Sequence, residues 1–343
     1  MYSRIKRCVA LSSSTNSEND PVKRLDAHAE MLRARAAMLR KVRNFFDQRG
    51  FVEVQTSCLS SDNVVDAHID PVEVPGTSLM LPQGAAAARY FLQTSPEFAM
   101  KRLLATGIGS IYSLAPVFRA GERSPRHNIE FTMLEWYATA ASMRDVIEQT
   151  IDLVVQTLGI RRPRMISYRQ LFRQTLGFDP IDADTAELAR EVSRVDQSLA
   201  NSLTNQRDEL LDVLMTERIE PLIASESVLI HHYPLTQAAL ARRSAEDPQT
   251  AERFELIVEG LELANGYGEL LDADELLARN QVSNQKRMAT GRPPLPVDSR
   301  LIAAMRAGLP PCSGVALGFD RLLMLAMGTH EIADVLSFPI ELA

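Results

Sequence analysis

An arginine-rich segment, residues 118–137, carries side chains that are well suited to phosphate chemistry. Three arginines, a histidine and an asparagine lie in a loop that also contains glycine and proline. Guanidinium groups match the geometry of phosphate oxygens, so this composition indicates a phosphate-binding loop. The carboxylates of Glu130 and Glu135 follow in an apolar strand, where charged groups are rarely buried unless they are paired. Taken alone, the segment is equally compatible with a solvated hairpin that has surface salt bridges.

A second segment, residues 259–269, places Glu262 and Glu269 on either side of a stretch with two glycines. We interpret this stretch as a turn, which would fold the chain back and bring both carboxylates to one point. Paired carboxylates favour a hard cation such as Mg²⁺ that is shared with phosphate. The alternative is an ordinary surface turn after a strand.

Two shorter segments place polar groups where a strand meets a helix. In residues 314–321, small residues allow close backbone approach to a ligand, and Arg321 opens an otherwise apolar helix. In residues 92–98, Ser95 is a candidate N-cap, with Pro96 at the first helical position and Glu97 in the first turn. Each also has a structural interpretation, an ion pair for Arg321 and a helix-dipole residue for Glu97.

The elements that must position these groups follow from hydrophobic periodicity. An amphipathic helix from Met31 to Gly50 runs into a strand at 51–56, a helical block covers 143–223, and shorter helices cover 273–290 and 322–327. This pattern predicts an α+β fold with an antiparallel sheet flanked by helices. We expect a mobile N-terminal tail at 1–26 and one catalytic domain at 27–343, with a helical insertion at about 143–223. Further strands are predicted at 71–74, 79–81, 90–93, 110–118, 130–138, 228–232 and 254–264.

Composition excludes several classes of protein. The 343 residues have a net charge of −7 and are 45% hydrophobic, which is ordinary for an enzyme and argues against broad nucleic-acid binding. Cys8, Cys58 and Cys312 are far apart, so neither a disulfide framework nor a cysteine zinc site is expected. No apolar run approaches the about 20 residues of a membrane span, and the N-terminus lacks a signal-peptide core. We therefore expect a cytoplasmic protein.

The four segments occur in the order found in class II aminoacyl-tRNA synthetases, and the chain resembles the lysyl branch of that class. Residues 31–58 resemble its first motif, residues 118–137 its second and residues 314–321 its third, while 127–137 and 262–269 resemble the lysyl group in particular. Ser95-Pro-Glu97 and residues 134–137 and 312–318 are more similar to short paralogues that act on a protein. The residues before the first motif are too few for an anticodon-binding OB-fold, so no anticodon recognition is expected. Ala316 stands where lysyl-tRNA synthetases usually have glycine.

The resemblance implies a class II synthetase catalytic core that uses ATP and Mg²⁺. Such an enzyme would activate (R)-β-lysine or lysine as an aminoacyl-adenylate and transfer it to a lysine side chain of elongation factor P. The resemblance also implies two partners, this acceptor protein and a second copy of the chain in a homodimer. Arg119 and Arg321 would be the catalytic residues. The implied ATP-binding residues are Arg119, Glu122, Asn128, Phe131, Glu262, Leu263, Gly318 and Arg321. The implied substrate-binding residues are Ser95, Pro96, Glu97, Glu135, Tyr137, Glu269 and Ala316, and the implied metal ligands are Glu262 and Glu269.

Two departures from the family pattern leave alternatives open. Glu122 stands one position later than the usual glutamate of the second motif, and Ser57 replaces the proline that ends the first motif and shapes the dimer contact. One alternative is a tRNA-charging enzyme without an anticodon domain, and another is a non-catalytic regulator that binds an amino acid. The retained Arg119, Arg321 and carboxylates favour an enzyme, because a binding module needs no phosphate or magnesium ligands. Amide synthesis from aspartate on a related core is the least favoured alternative.

Overall fold

A large sheet, mostly antiparallel, organises the protein. The computed structural model describes residues 21–82 and 87–343, with side chains from His28 onward. The helices are α1 (Pro21–Asp47), α2 (Glu97–Leu104), α3 (Met143–Leu158), α4 (Tyr168–Leu176), α5 (Thr185–Ser193), α6 (Gln197–Ser202), α7 (Arg207–Leu214), α8 (Glu220–Ile223), α9 (Ala273–Ala289), α10 (Arg300–Gly308) and α11 (Phe319–Met327). The strands are β1 (Val52–Glu53), β2 (Leu59–Ser60), β3 (Glu73–Pro75), β4 (Arg89–Leu92), β5 (Ile111–Phe118), β6 (Glu130–Thr139), β7 (Arg164–Ser167), β8 (Ser227–His231), β9 (Arg253–Val258), β10 (Leu261–Gly268) and β11 (Cys312–Gly318).

The strand order of the large sheet places distant parts of the sequence side by side. It runs β1-β5-β6-β11-β10-β9-β8-β7, with the outer pairs β1–β5 and β7–β8 parallel and the pairs between them antiparallel. The central strands β6, β11 and β10 therefore bring the second motif, the third motif and the glutamate-containing segment next to one another. A smaller antiparallel sheet, β2-β4-β3, lies beside them.

One face of the central strands carries the main apolar core. The side chains of Leu134, Trp136, Val315 and Leu317 point to this face, and α1, α3 and α11 cover it. Phe46 of α1 is fully buried there among aromatic rings, stacked at 4.6 Å on one of them. Because successive residues of a strand point to opposite faces, the alternate residues of the same strands face the other way.

The opposite face is bordered by two further clusters. Helices α4 to α8 pack around Tyr168, Phe172 and Leu214 next to the β7–β8 end. Helices α2, α9 and α10 pack around Phe98, Met100 and neighbouring apolar residues over the β5–β6 end. The two clusters leave the middle of this face to polar side chains, which are described below.

Local signals explain where the helices begin and end. Ser142 and Asp145 form a reciprocal capping box at the start of α3, and Gly159 ends the helix in the left-handed region at a φ of 69°. Asp272 caps α9 by accepting hydrogen bonds from two backbone amides.

The α+β class predicted from the sequence is confirmed, and several boundaries are corrected. Residues 79–81 form no strand, because a short 3₁₀-helix covers Gly76–Leu79 and Met80 follows in the left-handed region. The strand predicted at 254–264 is a hairpin, since Glu259 and Gly260 both have positive φ and turn β9 into β10. The segment 143–223 contains the short strand β7 as well as helices. Helix α1 already begins at Pro21, and the rest of the predicted tail, residues 1–20, lies outside the described residues.

Two further predictions are that the chain has no membrane-spanning segment and no disulfide framework, and both can be compared with residues 21–82 and 87–343. Among these, no helix combines the length and the hydropathy that crossing a membrane requires. Cys58 and Cys312 are both free thiols, whereas Cys8 lies outside the described part of the chain.

The aromatic cluster around Phe46 yields a stability prediction. Replacing Phe46 by alanine removes a fully buried ring, so we expect the free energy of unfolding to fall by about 3–5 kcal/mol. Phe338 is the matched control because it is 69% exposed, and Phe338→Ala is expected to change stability by less than about 0.5 kcal/mol. Urea denaturation followed by tryptophan fluorescence measures both variants. Equal losses in the two would contradict this description of the core.

Candidate active site

The candidate active site lies on the sheet face that points away from the main core. Register places Glu135 of β6 directly opposite Ala316 of β11, and Ala316 opposite Asn265 of β10. Directly paired residues of neighbouring strands have Cβ atoms about 5 Å apart on one face, so these side chains form one surface. Tyr137 is paired with Gly314 one step further along.

Glu135 is buried and held by two hydroxyl groups. Tyr137 donates a hydrogen bond of 2.6 Å to Glu135 Oε1, and Ser95 donates one of 2.7 Å to Glu135 Oε2. The Ser95 hydroxyl also accepts a hydrogen bond from the backbone N–H of Glu97 at the start of α2. Burial, and secondly the charge of Glu97, raise the pKa of Glu135 to about 8. The carboxyl group is therefore largely protonated at neutral pH and ionises readily when a cation arrives.

Lys101 joins the other two carboxylates of this pocket. Its Nζ lies 2.5 Å from Glu97 Oε1, one helical turn away in α2, and 2.5 Å from Glu269 Oε2, just after β10. Lys101 is 3% exposed and Glu269 1% exposed. Burial raises the pKa of Glu269 to about 7, against the opposing effect of the Lys101 ammonium. We name the group Glu97, Lys101, Glu135 and Glu269 the acidic cluster.

Small residues of β11 leave room for the acidic cluster. A Cβ atom at Gly314 would lie 2.4 Å from the Tyr137 ring and 2.5 Å from Glu269 Oε1, so no larger residue fits without displacing them. Ala316 presents a methyl group directly opposite Glu135. The floor of the pocket is therefore shaped by Gly314 and Ala316.

Arg119 and Phe131 mark the other end of the same face. The Arg119 guanidinium lies 5.2 Å from the centre of the Phe131 ring, a cation–π contact, and its Nε is 3.5 Å from the Thr94 carbonyl oxygen. Glu122 Oε2 lies 3.7 Å from Arg119 Nη1. The displaced glutamate of the second motif thus remains next to the arginine of that motif.

Arg321 approaches from the first turn of α11. Its Nη1 donates a 2.7 Å hydrogen bond to the carbonyl oxygen of Glu262, and its Nη2 lies 2.7 Å from His127 Nε2. Gly318 caps the start of α11, and a Cβ atom there would lie 3.3 Å from Arg321 Cδ. The second and third motifs therefore meet through Arg321.

The predicted turn between Glu262 and Glu269 is wrong. Residues 261–268 form the continuous strand β10, so the backbones of Glu262 and Glu269 lie roughly 20 Å apart at about 3.3 Å per residue. Glu269 is paired with Lys101, and Glu262 lies instead near Glu255 of β9. Burial and, after the opposing charge of Arg253, the charge of Glu262 hold the pKa of Glu255 above its ordinary value. This separation does not favour one metal ion shared by Glu262 and Glu269, and their role as a pair of ligands stays a prediction.

Three other predicted site residues have different surroundings from those expected. The side chain of Leu263 packs in the main core on the far face of the sheet, because a β-bulge interrupts the pairing between Glu262 and Ala264. Asn128 is buried, where its amide donates to the Glu130 carbonyl oxygen and accepts from the Ile340 backbone N–H. Pro96 is the N-cap of α2 rather than its first residue.

Sequence reasoning missed Lys101, Glu255 and Asn265. Lys101 could have been found, because it stands four residues after Glu97 in a predicted helix and i,i+4 pairs of opposite charge are neighbours. Glu255 and Asn265 belong to strands whose register is set by long-range pairing, so no local pattern singles them out. Asn265 Oδ1 is buried and has no hydrogen-bond partner within residues 21–82 and 87–343.

The fold and this site define the class of protein. Residues 22–342 match the family described as tRNA synthetases class II (D, K and N), and this domain is an ATP-dependent ligase core. Proteins named elongation factor P–(R)-β-lysine ligase from Klebsiella pneumoniae subsp. pneumoniae and from Salmonella gallinarum are each 44% identical to the chain over 310 residues, covering 90% of this chain and 94% of the relative. The chain belongs to the family of class II synthetase-like elongation factor P–(R)-β-lysine ligases.

The raised pKa of Glu135 yields a pH prediction. A carboxyl group whose pKa is about 8 holds a proton in the empty pocket at pH 7.5 and loses it when a substrate ammonium binds. With an ATP analogue present, binding of a dibasic amino acid should therefore release roughly one proton, Glu269 contributing the smaller share. Calorimetry in two buffers with different ionisation enthalpies measures this number. Glu135→Gln should reduce it by more than half, and no release from the unaltered enzyme would contradict the assignment.

Proposed function

We propose that the protein activates (R)-β-lysine, or lysine, with ATP and transfers it to a lysine side chain of elongation factor P. The supporting observation is that one sheet face carries an arginine-lined end at Arg119 and Arg321 and, along the same strands, a buried acidic cluster. The first end suits the phosphates of ATP and the second suits an amino acid with two ammonium groups. The names of the two relatives agree with this substrate and acceptor.

The first step is formation of an aminoacyl-adenylate. A carboxylate oxygen of the amino acid attacks the α-phosphorus, the bond to the β-phosphate breaks, and pyrophosphate leaves. This step requires alignment of the reactants and neutralisation of phosphate charge rather than proton transfer. Arg119, at the arginine-lined end, reaches the Thr94 carbonyl oxygen next to Ser95, and it would contact both the α-phosphate and the attacking carboxylate.

The remaining contacts to ATP would also lie at the arginine-lined end of the sheet face. Phe131 would stack on the adenine, and Arg321 would bind the γ-phosphate, with Gly318 allowing backbone to approach ATP. Glu122 would accept a hydrogen bond from the adenine amino group after leaving Arg119. The side chains of Asn128 and Leu263 are engaged elsewhere, so we restrict their contribution to the backbone and to shaping the loop.

Mg²⁺ fits at Glu262. Within the described parts of the chain, its carboxylate makes no hydrogen bond or ion pair, and the second carboxylate of Glu255 lies close enough to interact with its charge. Mg²⁺ is commonly bound by one or two carboxylates together with substrate phosphates, and it would neutralise phosphate charge here. We therefore propose Glu262 as the magnesium-binding residue, with the Glu255 carboxylate, held by Arg253 and Tyr233, adding negative charge nearby.

The amino acid would lie across the acidic cluster. Glu135, with Tyr137 and Ser95, would bind the distal ammonium, and Glu97 with Glu269 would bind the ammonium nearer to the carboxylate. The methyl group of Ala316, opposite Glu135, would reshape the pocket floor for a β-amino acid. Charge-assisted hydrogen bonds of this kind, when buried, cost about 2–5 kcal/mol to lose.

In the second step, the uncharged amine of the acceptor lysine attacks the carbonyl carbon of the adenylate. The bond to AMP breaks, AMP leaves, and the amine loses a proton. We propose a cytoplasmic homodimer that associates through α1 and the following strand, as in the class.

The proposed function is tested by mass spectrometry of the acceptor. Purified elongation factor P, incubated with the enzyme, ATP, Mg²⁺ and (R)-β-lysine, should gain the mass of one lysyl unit, and the gain should require ATP. Arg119→Ala should abolish the gain and also pyrophosphate exchange, whereas the matched variant Arg123→Ala should keep both, because Arg123 is exposed on the same loop. Charging of tRNA without any gain on elongation factor P would overturn the proposal.

The magnesium assignment is tested separately. Glu262→Gln removes the negative charge without changing the size of the side chain, so pyrophosphate exchange should need at least about tenfold more Mg²⁺ for half-maximal rate. Glu259→Gln is the control, since Glu259 is an exposed residue of the β9–β10 turn. An unchanged Mg²⁺ requirement in Glu262→Gln would exclude Glu262 as a ligand.

A further inference from the structure

Lys101 is an unexpected residue for a pocket that binds ammonium groups. Its Nζ lies 2.5 Å from both Glu97 Oε1 and Glu269 Oε2, and all three side chains are buried. Burial alone lowers the pKa of Lys101, but the charges of Glu269 and Glu97 outweigh this effect and raise the pKa above its ordinary value. A permanent cation therefore occupies the pocket before any substrate arrives.

The arrangement divides the acidic cluster into two parts of equal charge. Glu97 and Glu269 share one ammonium and together carry a charge of −1 when ionised. Glu135 is held separately by Ser95 and Tyr137 and also carries −1 when ionised. A dibasic amino acid offers one ammonium to each part. Each ammonium then meets one net negative charge, which avoids both an unpaired buried carboxylate and an unpaired buried ammonium.

The geometry leaves the required oxygens available. Lys101 contacts Oε1 of Glu97 and Oε2 of Glu269, so the second oxygen of each carboxylate remains for the substrate. Glu269 Oε1 lies at the surface of Gly314, where a side chain would fill the space. The Lys101 bridge also fixes the distance between α2 and the end of β10. Helix α2 is not part of the sheet that contains β10, so strand pairing does not set this distance.

We propose that Lys101 is a positioning residue that holds Glu97 and Glu269 as one singly negative site, so that the pocket as a whole matches a substrate with two ammonium groups. This inference rests on the proposed dibasic substrate. It assigns Lys101 a role in amino-acid binding and none in ATP binding.

Several titratable groups face this cation and enter its pH dependence. They come from α2, from β6, from β10 and the residue after it, from β11 and from the loop before β9: Glu97, Glu135, Tyr137, Tyr267, Glu269, Cys312 and Arg242. Removing Lys101 removes the cation that opposes protonation of Glu269. The Glu269 carboxyl group would then keep its proton to higher pH and bind the substrate ammonium less well at neutral pH.

The test is amino-acid-dependent pyrophosphate exchange by Lys101→Met. We expect the KM for (R)-β-lysine to rise at least about 30-fold at pH 7 while the KM for ATP changes by less than about threefold. Raising the pH from 7 to 9 should lower the amino-acid KM more steeply in this variant than in the unaltered enzyme. Arg102→Met is the matched control, because the next residue of α2 lines a cleft with Ser57 and Arg300 that contains no residue of the acidic cluster, and the change should leave both constants unchanged.

If Lys101→Met does not fold, the role of Lys101 is tested with Glu269→Gln and with the double variant that combines Glu269→Gln and Lys101→Met. Glu269→Gln leaves Glu97 neutralised by Lys101, so the amino acid should bind poorly. Adding Lys101→Met to Glu269→Gln restores one net negative charge and should improve the amino-acid KM. A purely structural role for Lys101 predicts a further loss instead, and that result, or equal changes in the two KM values, would overturn the inference. If the unaltered enzyme shows no exchange with (R)-β-lysine, the proposed function fails rather than this assignment.

Discussion

Burying three carboxylates on one face of a sheet is the constraint on which the rest of the site depends. Ionised carboxylates are stable away from water only when they are paired or hydrogen-bonded. Glu97 and Glu269 share Lys101 of α2, and Glu135 receives hydrogen bonds from Ser95 before α2 and from Tyr137 in β6. The position of α2 against the sheet therefore determines whether the pocket can exist.

The sheet separates two kinds of chemistry along its strands. Phe131 and Tyr137 lie on the same face of β6, six residues apart, which corresponds to about 20 Å of strand. Nucleotide-binding groups, Arg119 among them, gather at the Phe131 end, and ammonium-binding groups gather at the Tyr137 end. A single strand thus sets the spacing between the adenosine and amino-acid parts of the proposed adenylate.

The family resemblance implied the side chains at Ser95, Glu135 and Tyr137 that the structure brings together. Local sequence patterns predicted the α+β class and the long helix α1. They failed where long-range register decides the outcome. The two glycines in residues 262–269 suggested a turn, yet Gly266 and Gly268 are strand residues whose missing side chains make room for Phe254 and Glu252. The function of those glycines is close packing rather than chain reversal.

The contacts of Lys101 also depend on long-range strand order, which local sequence patterns do not predict. Its spacing from Glu97 could be found in the sequence, but its second partner, Glu269, is distant in the chain and meets it only through the order of the strands. A lysine beside a glutamate in a helix is usually a solvent-exposed pair of small energetic value. Burial makes the Lys101–Glu97 pair energetically important, and this burial arises only when α2 packs against the assembled sheet.

The most direct test of the central claim is a crystal structure of the enzyme with a non-hydrolysable (R)-β-lysyl-adenylate analogue. The account predicts the adenine on Phe131, one ammonium at Glu135, the other at Glu97 and Glu269, and Lys101 still bridging those two carboxylates. An amino-acid moiety bound elsewhere, or a substrate ammonium in the place of the Lys101 Nζ, would contradict it.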